Sequence, residues 1–218
     1  MRLVALALVF FISTVCAAQQ DSSVVPKWSL VTKPFYIFDP LNQGLEAGIG
    51  YRFNNIFSAQ FRGGPMFSIY KAGPNFKNNN YAGYRIAAEV QLNVFRTSYE
   101  SYYVGAEYLY KDFTRTKQEW FLRMGNKYQQ LLLLSKFYDV HGLHIKAGLN
   151  TINSSRRIAY EFYGAVGARI KYVSFSELPD DARFLEQSNF ENETIEGKSG
   201  VPVLFLGMIM HFRFTKNY

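Results

Sequence analysis

Residues 84–95, YRIAAEVQLNVF, decide the fold of this chain because apolar and polar side chains alternate along them. One face carries Tyr84, Ile86, Ala88, Val90, Leu92 and Val94, and the other carries Arg85, Ala87, Glu89, Gln91 and Asn93. A period of two indicates a β-strand with two unlike faces. Either the apolar face packs in a core with the polar face in water, or it contacts lipid while the polar face lines a closed barrel.

Seven further segments alternate in the same way. They are residues 28–38, 45–53, 57–64, 102–110, 142–149, 158–172 and 203–214. The first is the weakest, since Pro34 interrupts it. The eight candidate strands form an even set, as in closed antiparallel barrels of the bacterial outer membrane.

The connections between these strands alternate in length. Short turns are predicted around Asn54 and Asn55, at 96–100 and at 151–157. Longer segments join the other pairs; residues 111–141 join or extend strands 5 and 6, with an apolar run at 127–138, and the acidic segment 174–200 joins strands 7 and 8. Short turns at one end and long loops at the other are typical of an outer-membrane barrel.

The orientation of the faces separates this reading from a secreted lipocalin-like barrel, whose apolar face lies inside. Glycines such as Gly48, Gly105 and Gly207 fall on the polar face, where the narrow interior of an eight-stranded barrel requires small residues between large ones. Large aromatic residues lie near the strand ends, as in membrane-interface girdles. The last strand, with Phe212 and Phe214, precedes a terminal aromatic residue, Tyr218.

The first residues indicate export. Residues 1–18 have one basic residue, an apolar run and a small-residue end, which predicts a cleaved signal peptide. We expect a lead-in at 19–27 and the barrel domain at 28–218. The single cysteine, Cys16, precedes the cleavage point, so the mature chain has no disulfide; lipidation of Cys16 is the alternative. The excess of 24 basic over 17 acidic residues forms no basic block, which argues against nucleic-acid binding.

Three segments of the chain add a family resemblance. The run KWSLVTKPFYIFDPLNQGLEAGIGYRFNNIFSAQFRGGP, with YEFYGAVGARIKY and PVLFLGMIMHFRF, resembles small eight-stranded barrels of the Gram-negative outer membrane that form a family of unknown function. The resemblance implies the fold and the location, and it implies no catalytic residue.

Charged residues on the inward face predict a structural ion network in the lumen, because isolated buried charges are costly. The network is predicted to comprise Glu46, Arg52, Arg62, Arg85, Glu89, Glu107, Lys146, Glu161, Arg169 and Arg213, and Lys171 shares their face. Pairing of Phe95 with Ser101 would place Glu89 opposite Glu107, and a similar register places Lys146 near Glu161.

No catalytic, cofactor or metal site is predicted. His144 and His211 share the inward face without an acidic metal motif, and His141 is the one outward histidine, with no serine placed beside it. We therefore expect an all-β, closed eight-stranded antiparallel up-and-down transmembrane β-barrel without enzymatic activity, with a structural or interaction role, alone or as a subunit of a larger assembly. The alternatives are passage or binding of a small solute, and a lipid-modifying enzyme.

The expected location is the outer membrane, with short turns in the periplasm and long loops outside the cell. The expected partners are outer-membrane lipid, lipopolysaccharide and other outer-membrane proteins, without nucleic acid.

Overall fold

The computed structural model describes residues 28–37, 43–68, 80–97, 99–151, 157–176, 179, 181, 183–184 and 197–214. The predicted signal peptide 1–18, Cys16, the lead-in 19–27, Tyr218 and most of the acidic segment 174–200 lie outside these residues.

Nine strands lie within the described ranges. They are β1 Trp28–Thr32, β2 Ala47–Arg52, β3 Phe57–Phe67, β4 Asn80–Arg96, β5 Glu100–Arg123, β6 Tyr128–Thr151, β7 Ile158–Phe175, β8 Arg183–Phe184 and β9 Gly197–Arg213. A 3-10 helix spans Pro34–Ile37. No helix in this part of the chain has the length and apolar character needed to cross a membrane.

Eight of these strands close into an antiparallel ring in which each strand pairs with its neighbours along the chain. The ring closes where β1 pairs with β9, from Ser29 opposite Arg213 to Thr32 opposite Met210. The two-residue β8 lies outside the ring and pairs with the far end of β5. The predicted closed eight-stranded antiparallel up-and-down barrel is confirmed.

The apolar side chains of the strands point out of the barrel. Leu143 is 64 % exposed and Leu206 is 86 % exposed, whereas the adjacent His144 is fully buried. Monomeric soluble proteins rarely expose an apolar surface that continues around the whole molecule. The apolar strand faces therefore contact lipid, and the fold is a transmembrane barrel.

Two girdles of aromatic side chains border this outer surface, one at each end of the barrel. Trp28, Phe53, Phe95 and Tyr102 lie at the end with the short turns, and Tyr84, Tyr110 and Tyr172 lie towards the long loops. The eight residue steps from Tyr102 to Tyr110 cover about 27 Å of strand, or about 20 Å along the membrane normal at a tilt of about 40°. That height is close to the apolar band of about 25 Å that outer-membrane barrels expose.

Strand β1 is shorter than the predicted segment 28–38. It ends at Thr32, and the chain then turns through the 3-10 helix that begins at Pro34. Proline has no backbone N–H to donate to a sheet ladder, so the strand cannot continue regularly through that position. The turn also buries Lys33 inside the barrel mouth.

Strands β5 and β6 extend well past the ring, as the apolar run at 127–138 suggested. β4 pairs with β5 only as far as Thr116, and β7 pairs with β6 only as far as Lys136. The hairpin continues to Arg123 and Tyr128, which adds seven residues to β5, or about 23 Å of strand. We call residues 117–134 the protruding hairpin.

Local chemistry sets the short turns. In the β2–β3 turn, the Asn54 side-chain oxygen accepts hydrogen bonds from the backbone N–H groups of Ile56 and Phe57 at 2.8 and 2.6 Å. This is the turn that an Asn pair favours. In the β4–β5 pair, a bulge at Val94 shifts the register so that Phe95 faces Tyr102, and the predicted pairing with Ser101 is wrong. Glu89 nevertheless faces Glu107, as predicted.

Candidate functional site

The centre of the lumen is occupied by Arg62, which bonds three carboxylates: Glu46 just before β2, Glu89 on β4 and Glu107 on β5. Its Nε lies 2.9 Å from Glu46 Oε1, its Nη1 lies 2.9 Å from Glu89 Oε2, and its Nη2 bonds Glu107 Oε2. A planar guanidinium presents five donors in a fixed fork, so one arginine can serve several acceptors at once. Alternation places Arg62 inward on β3, and the barrel brings the acids to it from both sides.

Lys146, on β6, is the second cation between the facing acids. Its ammonium lies 2.6 Å from Glu89 Oε2, 3.4 Å from Glu107 Oε2 and 3.8 Å from Glu161 Oε1. The two carboxylates that face each other across β4 and β5 are therefore separated by cations and not left to repel each other. Lys146 also stacks at 3.8 Å from the centre of the Tyr163 ring, a cation–π contact.

Glu161 anchors the side of the lumen nearer the short turns. It accepts hydrogen bonds from Gln60 Nε2 at 2.8 Å and from the Tyr103 hydroxyl at 2.5 Å, and His211 Nε2 lies 3.0 Å away. Both of its oxygens are thus occupied, and its side chain is fully buried. A carboxylate with this many partners can remain charged inside the barrel.

Two further cations complete the centre near the long loops. Lys33 lies 3.5 Å from Glu46, and Arg85 Nε lies 3.6 Å from the other oxygen of Glu46. The ring of Tyr36, from the 3-10 helix, stacks 3.8 Å from the Arg85 guanidinium. The 3-10 helix that follows β1 therefore brings Tyr36 over the charged groups at the long-loop end of the lumen.

Four carboxylates thus meet four cations, and we call this set the ion-pair cluster. Its members are Lys33, Glu46, Arg62, Arg85, Glu89, Glu107, Lys146 and Glu161. The cluster is neutral in formal charge, and all its members are buried. Four of the cations that the sequence placed on the inward face lie outside the cluster, namely Arg52, Arg169, Lys171 and Arg213.

The structure brings together seven of the ten predicted network residues. Arg169 lies beside the cluster, where its Nε is 3.3 Å from His144 Nε2. Arg52 and Arg213 lie apart from it and line a cavity at the short-turn end. Lys146 lies near Glu161 as predicted, although the residue that directly faces Glu161 on β6 is Asn150.

Three lysines that are buried in the described part of the chain were not predicted from the sequence. Lys33 follows the end of β1, and Lys111 and Lys136 lie inside the barrel on the long strands β5 and β6. The last two fall in the segment 111–141, which the sequence left open as a connection or an extension. Continuing the alternation of β5 from Glu107 through Leu109 would have placed Lys111 inward.

The histidines do not form a metal site in the described residues. No group of three or more His, Cys, Asp or Glu side chains is arranged there to hold a metal ion. His144 lies 3.0 Å from Glu107 and His211 contacts Glu161, so both belong to the hydrogen bonds around the cluster. The outward His141 lies between the Tyr108 hydroxyl at 2.7 Å and Asp139 at 3.1 Å. Sequence reasoning missed these two neighbours of His141.

The protruding hairpin has two unlike faces. Phe121 and Leu134 are fully buried, whereas Trp120, Leu131 and Leu133 are 52 %, 42 % and 59 % exposed. Trp120 and Leu131 face each other across the two strands, so their side chains form one apolar patch. The hairpin therefore presents an apolar surface beyond the aromatic girdle at the long-loop end.

The tip of the hairpin is tied to the chain that follows β7. Asp181 accepts two hydrogen bonds at 2.9 Å from Arg123 Nε and one from the backbone N–H of Met124. These bonds, the Arg123 guanidinium first, hold the pKa of Asp181 below its ordinary value. The contact and the β5–β8 pairing both fix the hairpin to this segment.

Comparison with known proteins adds one structural likeness. No protein-family model and no curated protein matches the chain. The crystal structure of a major outer membrane protein from Thermus thermophilus is similar, with a TM-score of 0.43 and 12 % identity over 86 % of this chain and 98 % of that chain. The family resemblance drawn from the sequence stays a prediction.

The ion-pair cluster predicts the effect of removing one carboxylate. Glu89→Gln would leave Arg62 and Lys146 with too few negative partners inside the barrel, and we expect the free energy of unfolding to fall by about 3 kcal/mol. Urea unfolding of the barrel in lipid vesicles, followed by tryptophan fluorescence, measures the loss. The control Glu100→Gln changes the same group outside the lumen, where we expect a change within about 0.5 kcal/mol. Equal stability of the two variants would contradict a stabilising cluster.

Proposed function

We propose that this protein is a non-enzymatic integral barrel of the bacterial outer membrane with a structural or interaction role. Its short turns face the periplasm and its long loops face the outside of the cell. The lumen passes no solute, and the protruding hairpin is the surface that meets a neighbouring protein.

The observation that carries the proposal is the filled lumen. Arg62, Lys146, Glu161 and His144 each have essentially no solvent exposure although they lie in the middle of the barrel. An eight-stranded barrel has an interior just wide enough for side chains. A solute would have to break several charge-assisted hydrogen bonds in order to pass, and each broken pair would leave buried charges exposed to one another.

The outward surface supports the location. Tyrosines lie at both edges of the apolar band and Trp28 lies at the short-turn edge, which is the preferred depth of these residues in a membrane. Closed barrels are the way in which strands can span hydrocarbon. The export signal predicted at residues 1–18 and the alternation of short and long connections support the same location and orientation.

Among the described residues, no serine, threonine or cysteine contacts His141. A lipid-modifying site of the kind considered from the sequence needs a serine or similar nucleophile activated by histidine. In the described structure His141 contacts Tyr108 and Asp139, and its ring also packs beside Tyr110 and Tyr172. Tyr110 and Tyr172 belong to the aromatic girdle near the long loops, and amphipathic aromatic side chains at that depth suit anchoring at the membrane surface.

The filled lumen predicts the absence of ion flux. Purified barrel inserted into a planar lipid bilayer should give no steady conductance steps above the bare bilayer, because the ion-pair cluster leaves no continuous water path. A sixteen-stranded porin measured in the same bilayer is the control, since its lumen holds an aqueous channel. Steady conductance steps from the purified barrel would overturn the proposal and favour solute passage.

The hairpin supports the interaction role. The apolar outer surface continues beyond the aromatic girdle that contains Tyr110, through the side chains of Trp120, Leu131 and Leu133. At that height the surroundings are no longer hydrocarbon. Exposed apolar patches outside the membrane mark contact sites for other proteins. A rigid β-hairpin that is hydrogen-bonded along its whole length can present such a patch with little loss of entropy on binding.

Site-specific photocrosslinking in intact cells tests this role. A photoreactive residue in place of Leu133 should give one discrete protein adduct, because this side chain lies on the hairpin patch. The same residue in place of Leu143, ten positions further along the same strand face, should react with lipid alone. Lipid adducts alone at both positions would rule out the hairpin as the contact surface.

A further inference from the structure

A small cavity lies inside the barrel at the short-turn end, on the far side of Glu161 from the long loops. Its volume is about 40 Å³, room for about three water-sized groups. Its polar lining residues are Ser29, Arg52, Ser58, Gln60, Gln91, Asn150, His211 and Arg213. The lining contains two arginines and a histidine and, among the described residues, no carboxylate.

Arg52 faces this cavity without a negative partner. In the part of the chain that the structure describes, no carboxylate lies within ion-pair distance of its guanidinium. The charged groups that act on Arg52 are Arg213 and Arg96, and both repel it. Three guanidinium groups thus converge at one end of a narrow barrel.

Neighbouring strands hold the other two arginines at this end. Arg213 Nη2 donates to the Thr151 carbonyl oxygen at 2.7 Å, and Arg96 Nη1 donates to Asn55 Oδ1 at 2.9 Å. Thr151 is the last residue of β6, and Asn55 lies in the β2–β3 turn, so both acceptors are at the short-turn end. The guanidinium groups of Arg96 and Arg213 are therefore held at the short-turn end of the barrel.

The carboxylate nearest the cavity wall, that of Glu161, already has hydrogen-bond partners on both oxygens. Glu161 touches the wall through Gln60 and His211, which both line the cavity, and its oxygens are also bonded by Tyr103 and approached by Lys146. The ion-pair cluster to which it belongs is balanced in charge. The positive charge of Arg52 thus has no counterpart in the cluster.

The rest of the wall supplies neutral donors. The hydroxyl group of Ser29 lines the cavity and can donate, whereas the one hydroxyl proton of Ser58 is donated to Gln91. The Asn150 side-chain oxygen is buried and has no hydrogen-bond partner among the described residues. Since exchange of the oxygen and nitrogen of an amide side chain fits the same shape, Asn150 can offer two N–H donors to an anion.

We infer that this cavity binds a phosphate-type oxyanion between Arg52, Arg213 and the Ser29 hydroxyl at the short-turn end. Arginine binds phosphate oxygens through paired, charge-assisted hydrogen bonds. A bound anion would offset the cost of holding the Arg52 cation without a negative partner in a narrow lumen. The phosphate can be a free ion from the solvent or part of a lipid headgroup at the adjacent membrane surface.

The test uses the purified full-length mature protein in detergent, titrated with inorganic phosphate at constant ionic strength. Isothermal titration calorimetry should show saturable binding, and phosphate should raise the Tm, because a ligand that binds only the folded state stabilises it. Arg52→Gln should weaken binding at least tenfold. Arg52→Lys, which keeps the charge, should retain weakened binding and also covers the case in which Arg52→Gln fails to fold. Lys127→Gln removes one charge at the opposite end and should bind like the wild type.

A second arm separates the two sources of phosphate. If phosphatidylglycerol nanodiscs suppress the response to inorganic phosphate, a lipid headgroup takes the site; if the response persists, a soluble anion takes it. Both results uphold the site. Absence of saturable binding by the wild type, or equal affinity in wild type and Arg52→Gln, would overturn it, and neither outcome bears on the conductance of the barrel.

Discussion

The backbone hydrogen bond in hydrocarbon is the constraint on which this structure depends. Without water, each N–H and C=O in the membrane must find a partner in the chain, so a sheet must close on itself. The short contact between β1 and β9, from Ser29 to Thr32, performs this closure. It makes a five-residue strand with a poor alternation pattern as necessary as the seventeen-residue β9 beside it.

Closure of only eight strands fixes what the interior can be. The space admits side chains and little else, and Gly207 illustrates how fully it is used, since a Cβ there would lie 2.4 Å from the Tyr163 ring. Polar strand faces must then satisfy one another, which the ion-pair cluster does with equal numbers of acids and bases. Part of the positive charge outside the cluster lies at the short-turn end, where Arg52 and Arg213 line a cavity. Stability and a binding site thus follow from the same shortage of space.

Alternation along single strands was enough to predict which side chains lie inside, as with Arg62 and Glu161, because a strand fixes its faces locally. Pairing between strands was harder. The bulge at Val94 inserts one residue near the turn, so the predicted Phe95 pairing failed while the Glu89–Glu107 pairing held. Lys33 was missed because it lies beyond the end of a strand, and the partition of charges between the cluster and the cavity depends on contacts across the lumen, which no local pattern contains.

The central claim is that apolar side chains face lipid and charged ones face the lumen. Residues 28–218 contain no cysteine, so single cysteines can be introduced along 143–147 of β6 and spin-labelled in vesicles. Collision with dissolved oxygen, which concentrates among acyl chains, should be high at 143, 145 and 147 and low at 144 and 146, and a water-soluble nickel complex should reach none of them. Low oxygen accessibility at 143, 145 and 147 with nickel access at 144 and 146 would contradict the account, because the barrel would then be turned inside out.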